Sequence, residues 1–187
     1  GPPNILDKSG GKGAGDANAA LSFGGTVSPA RVTCTEEYDG SSWSTQNALP
    51  TASYYASSGT QTAALGVRNS PSPLTLNYDG TSWTSGTGNL NFLTDIGSAA
   101  KNGTQTKTVI FGGNAGPTRT GTTEEYDGTA FTNTASLSTF RGGIGGSGDI
   151  DEAYAAGGYD GSTNLNSTEE YSYQGASVTT SSTLSTS

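Results

Sequence analysis

Apolar positions in this chain come in short alternating runs, each closed by Gly, Asn, Asp or Pro. The first series of runs is A-L-S-F-G-G (20–25), A-A-L-G-V (63–67), V-I-F-G-G (109–113) and Y-A-A-G-G (154–158). A second series carries tyrosine: T-E-E-Y-D-G-S-S-W (35–43), L-N-Y-D-G-T-S-W (76–83), T-E-E-Y-D-G-T-A-F (123–131) and Y-Q-G-A-S-V (173–178). Alternation, β-branched residues and turn residues at the run ends predict strands and hairpins. No segment sustains a 3.6-residue period, so no helix is expected. In the third of these units the predicted strands are roughly 97–102, 106–111, 121–126 and 130–134.

The runs form columns. Tyr38, Tyr78, Tyr126 and Tyr173 recur at a period of about 45 residues, as do Gly24, Gly66, Gly112 and Gly157. Upstream stand Gly15-Asp16, Gly59-Thr60, Gly103-Thr104 and Gly148-Asp149; downstream stand Leu49, Leu90, Leu137 and Leu184. The columns keep one order, which divides the chain into repeats at roughly 6–49, 50–90, 91–137 and 138–184. Four short strands in each such repeat is the pattern of a β-propeller blade. The expected fold is all-β: a single domain, 1–187, of four blades of four antiparallel strands, closing alone or forming part of a larger ring.

The wording within a repeat resembles the kelch family. F-G-G, then T-E-E-Y-D-G-S-S-W, then L-P in residues 23–50 match its double glycine, its acidic residue before tyrosine, its tryptophan and its closing Leu-Pro. The match weakens at Gly66-Val67, at Phe131 in place of tryptophan, and at Gln174 and Val178 in the last repeat. The Gly, Ser and Thr richness and the D-G-T-S-W-T wording resemble kelch-like repeats of bacteriophage tail-fibre and virion proteins, especially those of cyanophages. That resemblance implies a virion or extracellular protein with a structural or host-attachment role. It names as partners other virion or filament subunits and a host-surface glycan, in a homo-oligomer or larger assembly. A secreted or cell-surface propeller that forms filaments or binds carbohydrate is the alternative.

Composition narrows the chemistry. Net charge is −8, with 16 acidic and 8 basic residues, which disfavours nucleic acid because phosphate neutralisation needs clustered cations. No apolar run reaches the ~20 residues of a membrane-spanning helix, and residues 1–20 show no charged start followed by an apolar block. The single Cys34 forms no internal disulfide and, in V-T-C-T-E, is expected in the core. Histidine is absent, which removes the commonest general base and transition-metal ligand. The acidic pairs Glu36/Glu37, Glu124/Glu125 and Glu169/Glu170 lie on strands, where neighbours point to opposite faces, so they do not converge for catalysis. One member of each pair is expected in solvent and the other at a blade edge. No enzyme activity, cofactor or metal site is expected.

The repeated Asp-Gly reads as turn chemistry. In up-and-down blades, the second-to-third and fourth-to-first connections leave on one face of the ring. Arg31, Arg68 and Arg119 fall in the former and Arg141 in the latter, with Asn164 at the corresponding place in the fourth repeat. Asp39, Asp79, Asp127, Asp149 and Asp151 fall at the opposite end. The arginine end is therefore the expected binding face for an acidic or hydroxyl-rich partner. The competing expectation is that each arginine braces a neighbouring blade.

Overall fold

The computed structural model describes residues 8–68, 72–92, 97–115, 117–173 and 177–184. Strands in the described residues run β1 Lys12–Gly15, β2 Ala20–Phe23, β3 Thr26–Val27, β4 Ala30–Arg31, β5 Thr35–Tyr38, β6 Trp43–Gln46, β7 Ala56–Thr60, β8 Ala63–Arg68, β9 Leu74–Tyr78, β10 Trp83–Ser85, β11 Ser98–Ala99, β12 Thr108–Ala115, β13 Thr118–Tyr126, β14 Phe131–Thr134, β15 Gly145–Gly148, β16 Glu152–Ala156, β17 Ser167–Ser172 and β18 Ser177–Thr183. Among the described residues there is no helix. Four antiparallel sheets, β1-β2-β5-β6, β7-β8-β9-β10, β11-β12-β13-β14 and β15-β16-β17-β18, are the blades of a four-blade β-propeller. The small hairpin β3-β4 extends the β2–β5 connection. The alternating pattern thus predicted both the all-β class and the four-by-four arrangement.

The Asp of each Asp-Gly shapes a turn. Asp39 Oδ1 accepts from Ser41 N and Ser42 N, Asp79 Oδ1 from Thr81 N and Ser82 N, and Asp127 Oδ1 from Thr129 N and Ala130 N. Gly40, with φ +94°, supplies the left-handed step that this turn requires. The same device appears at Tyr159-Asp160-Gly161-Ser162-Thr163, where Asp160 Oδ1 takes Ser162 N and Thr163 N. That copy sits at the opposite end, in the β16–β17 connection. The phrase is a portable turn and not a marker of one face.

Packing between blades makes the core. Each sheet has a forward side, toward the next blade along the chain, and a backward side. The backward side carries the tyrosine and its cross-strand partner, Tyr38–Trp43, Tyr78–Trp83 and Tyr126–Phe131, with Tyr171 at the same position in the fourth blade. The forward side carries Leu21 beside Glu37, Leu65 beside Asn77, Val109 beside Glu125 and Tyr154 beside Glu170. Three apolar clusters follow, one at each junction between successive blades. At the first, Trp83 lies 4.6 Å from the Phe23 ring and donates Nε1 to Thr35 Oγ1 at 2.9 Å. Leu49, Leu90 and Leu137 close the three clusters, each buried. At Gly112 (φ +60°), a Cβ would stand 2.7 Å from the Arg141 carbonyl, so the double glycine lets the connection to the next blade cross the strand end.

Four expectations are corrected. The core tyrosine of the fourth blade is Tyr171, buried among the third cluster, whereas Tyr173 is 54% exposed. The last hairpin is two residues longer and β18 carries a bulge opposite Thr168/Glu169, so the spacing to Leu184 that Tyr173 satisfied does not mark the core tyrosine. Gln174 and the side chain of Val178 lie outside the described residues. Strands β12 and β13 continue past the predicted ends to meet in a hairpin at the arginine end. Cys34 is half-buried, with Lys8 Nζ 3.1 Å from its sulfur. The first glutamate of each pair is buried, for a reason that belongs to the site.

Candidate functional site

The β2–β5, β8–β9, β12–β13 and β16–β17 connections and the links between blades all emerge at one end of the propeller. Arg31, Arg68, Arg119, Arg141 and Asn164 share that end, but their surroundings differ.

Arg141 is fully buried. Its Nη2 donates to Glu169 Oε1 at 2.7 Å and to Ser167 Oγ at 2.9 Å; its Nη1 donates to the carbonyls of Gly157 and Ser167, both at 3.0 Å. Glu169 also accepts from Ser138 N and Thr139 N in the same link. The third blade repeats the scheme, with Glu124 accepting from Asn91 N, Asn91 Nδ2 and Phe92 N. In the first blade Lys8 Nζ lies 2.9 Å from Glu36 Oε2, with both side chains buried. The first glutamate of T-E-E-Y therefore clamps the segment entering its own blade. In the second blade the corresponding position is Leu76, which is fully buried. Burial pushes the Glu124 carboxyl above its ordinary range, against the lowering effect of its three donors.

Arg68 is also buried and donates Nη1 to Ser72 O at 2.8 Å. Neither Arg68 nor Arg141 presents its guanidinium to an outside ligand. The other two arginines stay at the surface and lean across to the next blade. Arg31 stands 4.7 Å over the ring of Tyr54, and Arg119 stands 5.3 Å over the ring of Tyr159. Such stacking contributes roughly 0.5–1 kcal/mol at exposed sites and holds a planar donor fork in place. Asn164 is exposed and bridges to Tyr159 through backbone.

Beside Arg119 lies a groove of about 710 Å³ between the β12–β13 hairpin and the fourth blade. Its walls include Arg119, Thr139, Phe140, Asp160 and Ser162. Phe140 is 59% exposed, the most exposed of the large apolar side chains described. Asp160 is held rigidly: its oxygens accept from Ser162, Thr163 and their hydroxyls, and these bonds lower its pKa to about 2. The groove thus offers an apolar platform, a fixed guanidinium, a fixed carboxylate and hydroxyls. The arginine column singled out Arg119. Phe140 was missed, because one phenylalanine in a polar link carries no periodic signal.

Among the described residues no group of three or more Cys, Asp or Glu is placed to hold a metal ion. No known protein family matches the chain, and no curated protein matches it in sequence.

Proposed function

We propose that this chain is a non-enzymatic binding propeller of kelch-like type, serving a phage virion as a tail-fibre or appendage protein that attaches to the host surface. Its ligand is a hydroxyl-rich or acidic glycan held in the groove between Arg119 and Phe140. The observation that carries the reading is that groove. A solvent-facing aromatic ring beside a pre-positioned guanidinium suits a sugar, whose C–H face stacks on the ring while its hydroxyls or carboxylate take the donors. Loops on a rigid scaffold are the usual place for such recognition. The buried first glutamates and the absence of histidine support a role in binding over turnover. Calorimetric titration with purified host-surface polysaccharide tests the proposal. Saturable binding that falls at least tenfold in both Arg119→Ala and Phe140→Ala, with the melting temperature retained, is the expected result. Binding untouched by either change overturns the assignment of the groove.

A further inference from the structure

The three junctions inside the chain share one plan of apolar packing, and two of them add a tyrosine–glutamate bond; the outer side of the fourth blade departs from that plan. On the forward side, Leu21, Leu65 and Val109 are at most 2% exposed, while Tyr154 at the same position is 45% exposed. Glu37 receives the hydroxyl of Tyr78 from the next blade at 2.9 Å, and Glu125 receives that of Tyr171. Glu170, at the same position in the fourth blade, is exposed. Leu49 and Leu137 are 3% exposed, whereas Leu184 is 48% exposed although its N–H bonds Asn166 O as theirs bond Thr33 O and Gly121 O. The backward side of the first blade shows the other half of the mismatch. Tyr78, Tyr126 and Tyr171 are at most 3% exposed; Tyr38 is only half-buried, and its hydroxyl turns onto Gly40 O of its own turn.

We infer that the forward side of the fourth blade, centred on Tyr154, Glu170 and Leu184, docks the backward side of the first blade of a second copy of this chain. The complementarity is already shown twice within the molecule, at Glu37–Tyr78 and Glu125–Tyr171; Glu170 and Tyr38 hold the same two positions on the outer sides, Glu170 exposed and the Tyr38 hydroxyl turned onto Gly40 O. The contact is heterologous, joining two different surfaces, so copies link head to tail into a closed ring of subunits or a filament. Burying a half-exposed tyrosine and leucine supplies the apolar centre that such an interface needs. This surface is separate from the Arg119 groove and does not depend on the glycan reading.

Sedimentation velocity of the full chain over a concentration series tests the inference. Concentration-dependent association is expected, weakened at least tenfold by Tyr154→Asp and by Tyr38→Ala, with unchanged circular dichroism for each. Mixing the two variants restores one competent interface and gives a dimer that grows no further. A second arm places cysteines at Tyr38 and Glu170 in a Cys34→Ser background: disulfide-linked multimers support the inference. A chain that stays monomeric at all concentrations overturns it, as does a Tyr38→Cys/Glu170→Cys bond closing within one chain. Either result would mean that the junction is filled by this chain itself or by a further blade. Association indifferent to both substitutions overturns it as well.

Discussion

Arg141 Nη2 and Glu169 Oε1 meet at 2.7 Å with neither side chain reaching solvent. The pair ties the link between the third and fourth blades to the strand it must enter. A buried ion pair broken on one side leaves a charge without compensation, at a cost of about 3–5 kcal/mol. Arg141→Met should therefore lower stability by that order in a denaturant melt. The double variant Arg141→Met/Glu169→Leu should recover much of it, because the second blade already carries a buried leucine, Leu76, at the position of Glu169. Equal losses in the single and double variants would show that the pair does not act as a unit.

Trp83 should outweigh Asp79. Truncating Trp83 to Ala removes its contacts with Phe23 and Tyr78 and strands Thr35, for a loss of about 3–5 kcal/mol. Asp79→Ala should cost far less, since its turn bonds are solvent-exposed. Thermal melts that rank the two in the opposite order would make the Asp-Gly turn, and not the aromatic junction, the main device of the repeated phrase.

What the sequence showed and hid follows from distance along the chain. Strands and turns depend on near neighbours, so the alternating runs and Asp-Gly pairs displayed them directly. The Tyr173 assignment failed because a longer hairpin and a bulge break fixed spacing without breaking the sheet. Arginine roles were invisible for another reason. Arg119 and Arg141 both lie at the same end of the ring, yet one caps a surface tyrosine and the other is sealed against Glu169, 28 positions away. Only the tertiary fold separates them. The clamping glutamates were hidden in the same way, since their partners lie about 30 residues upstream.

The tyrosine column offers a test of the junctions themselves. Tyr78→Phe removes a partly buried hydrogen bond to the Glu37 carboxylate, worth about 1.5–3 kcal/mol for a charged acceptor. Tyr38→Phe removes only an exposed bond to Gly40 O and should leave the melt of the dilute protein nearly unchanged. If the two changes cost the same, the first blade is as tightly joined as the second.

Surface arginines should separate from buried ones. Arg31→Ala and Arg119→Ala lose their stacking on Tyr54 and Tyr159 at the surface, so a combined variant should melt within about 2 kcal/mol of the parent. Arg68→Ala, by contrast, empties a buried site and should destabilise clearly, as measured by the denaturant midpoint. A sharp drop in the Arg31/Arg119 variant would make those two arginines braces of the fold, leaving Phe140 alone to support the groove.

The acid limb of stability should belong to the turns. Backbone N–H donors lower Asp39 and Asp160 to about 2 and lower Asp79 and Asp127 as well. An aspartate whose folded value is depressed stabilises the fold above its unfolded value of ~3.9 and loses that contribution as pH falls through the folded one. The turns should therefore weaken from about pH 4 down to about pH 2. Glu124 works against this trend, because a raised carboxyl favours the folded protein as it protonates. At the other extreme Tyr78 and Tyr171 are raised, by burial first and by their glutamate partners next. Their contribution is complete below pH ~10 and is lost as pH rises through the raised values. Asn in place of Asp39 and Asp160 keeps an oxygen for the turn but cannot titrate. The Asp39→Asn/Asp160→Asn variant should therefore melt below the parent near pH 7, lose less melting temperature between pH 4 and pH 2, and converge with the parent at the acid end. Parallel curves for the two proteins over that window would place the acid sensitivity elsewhere.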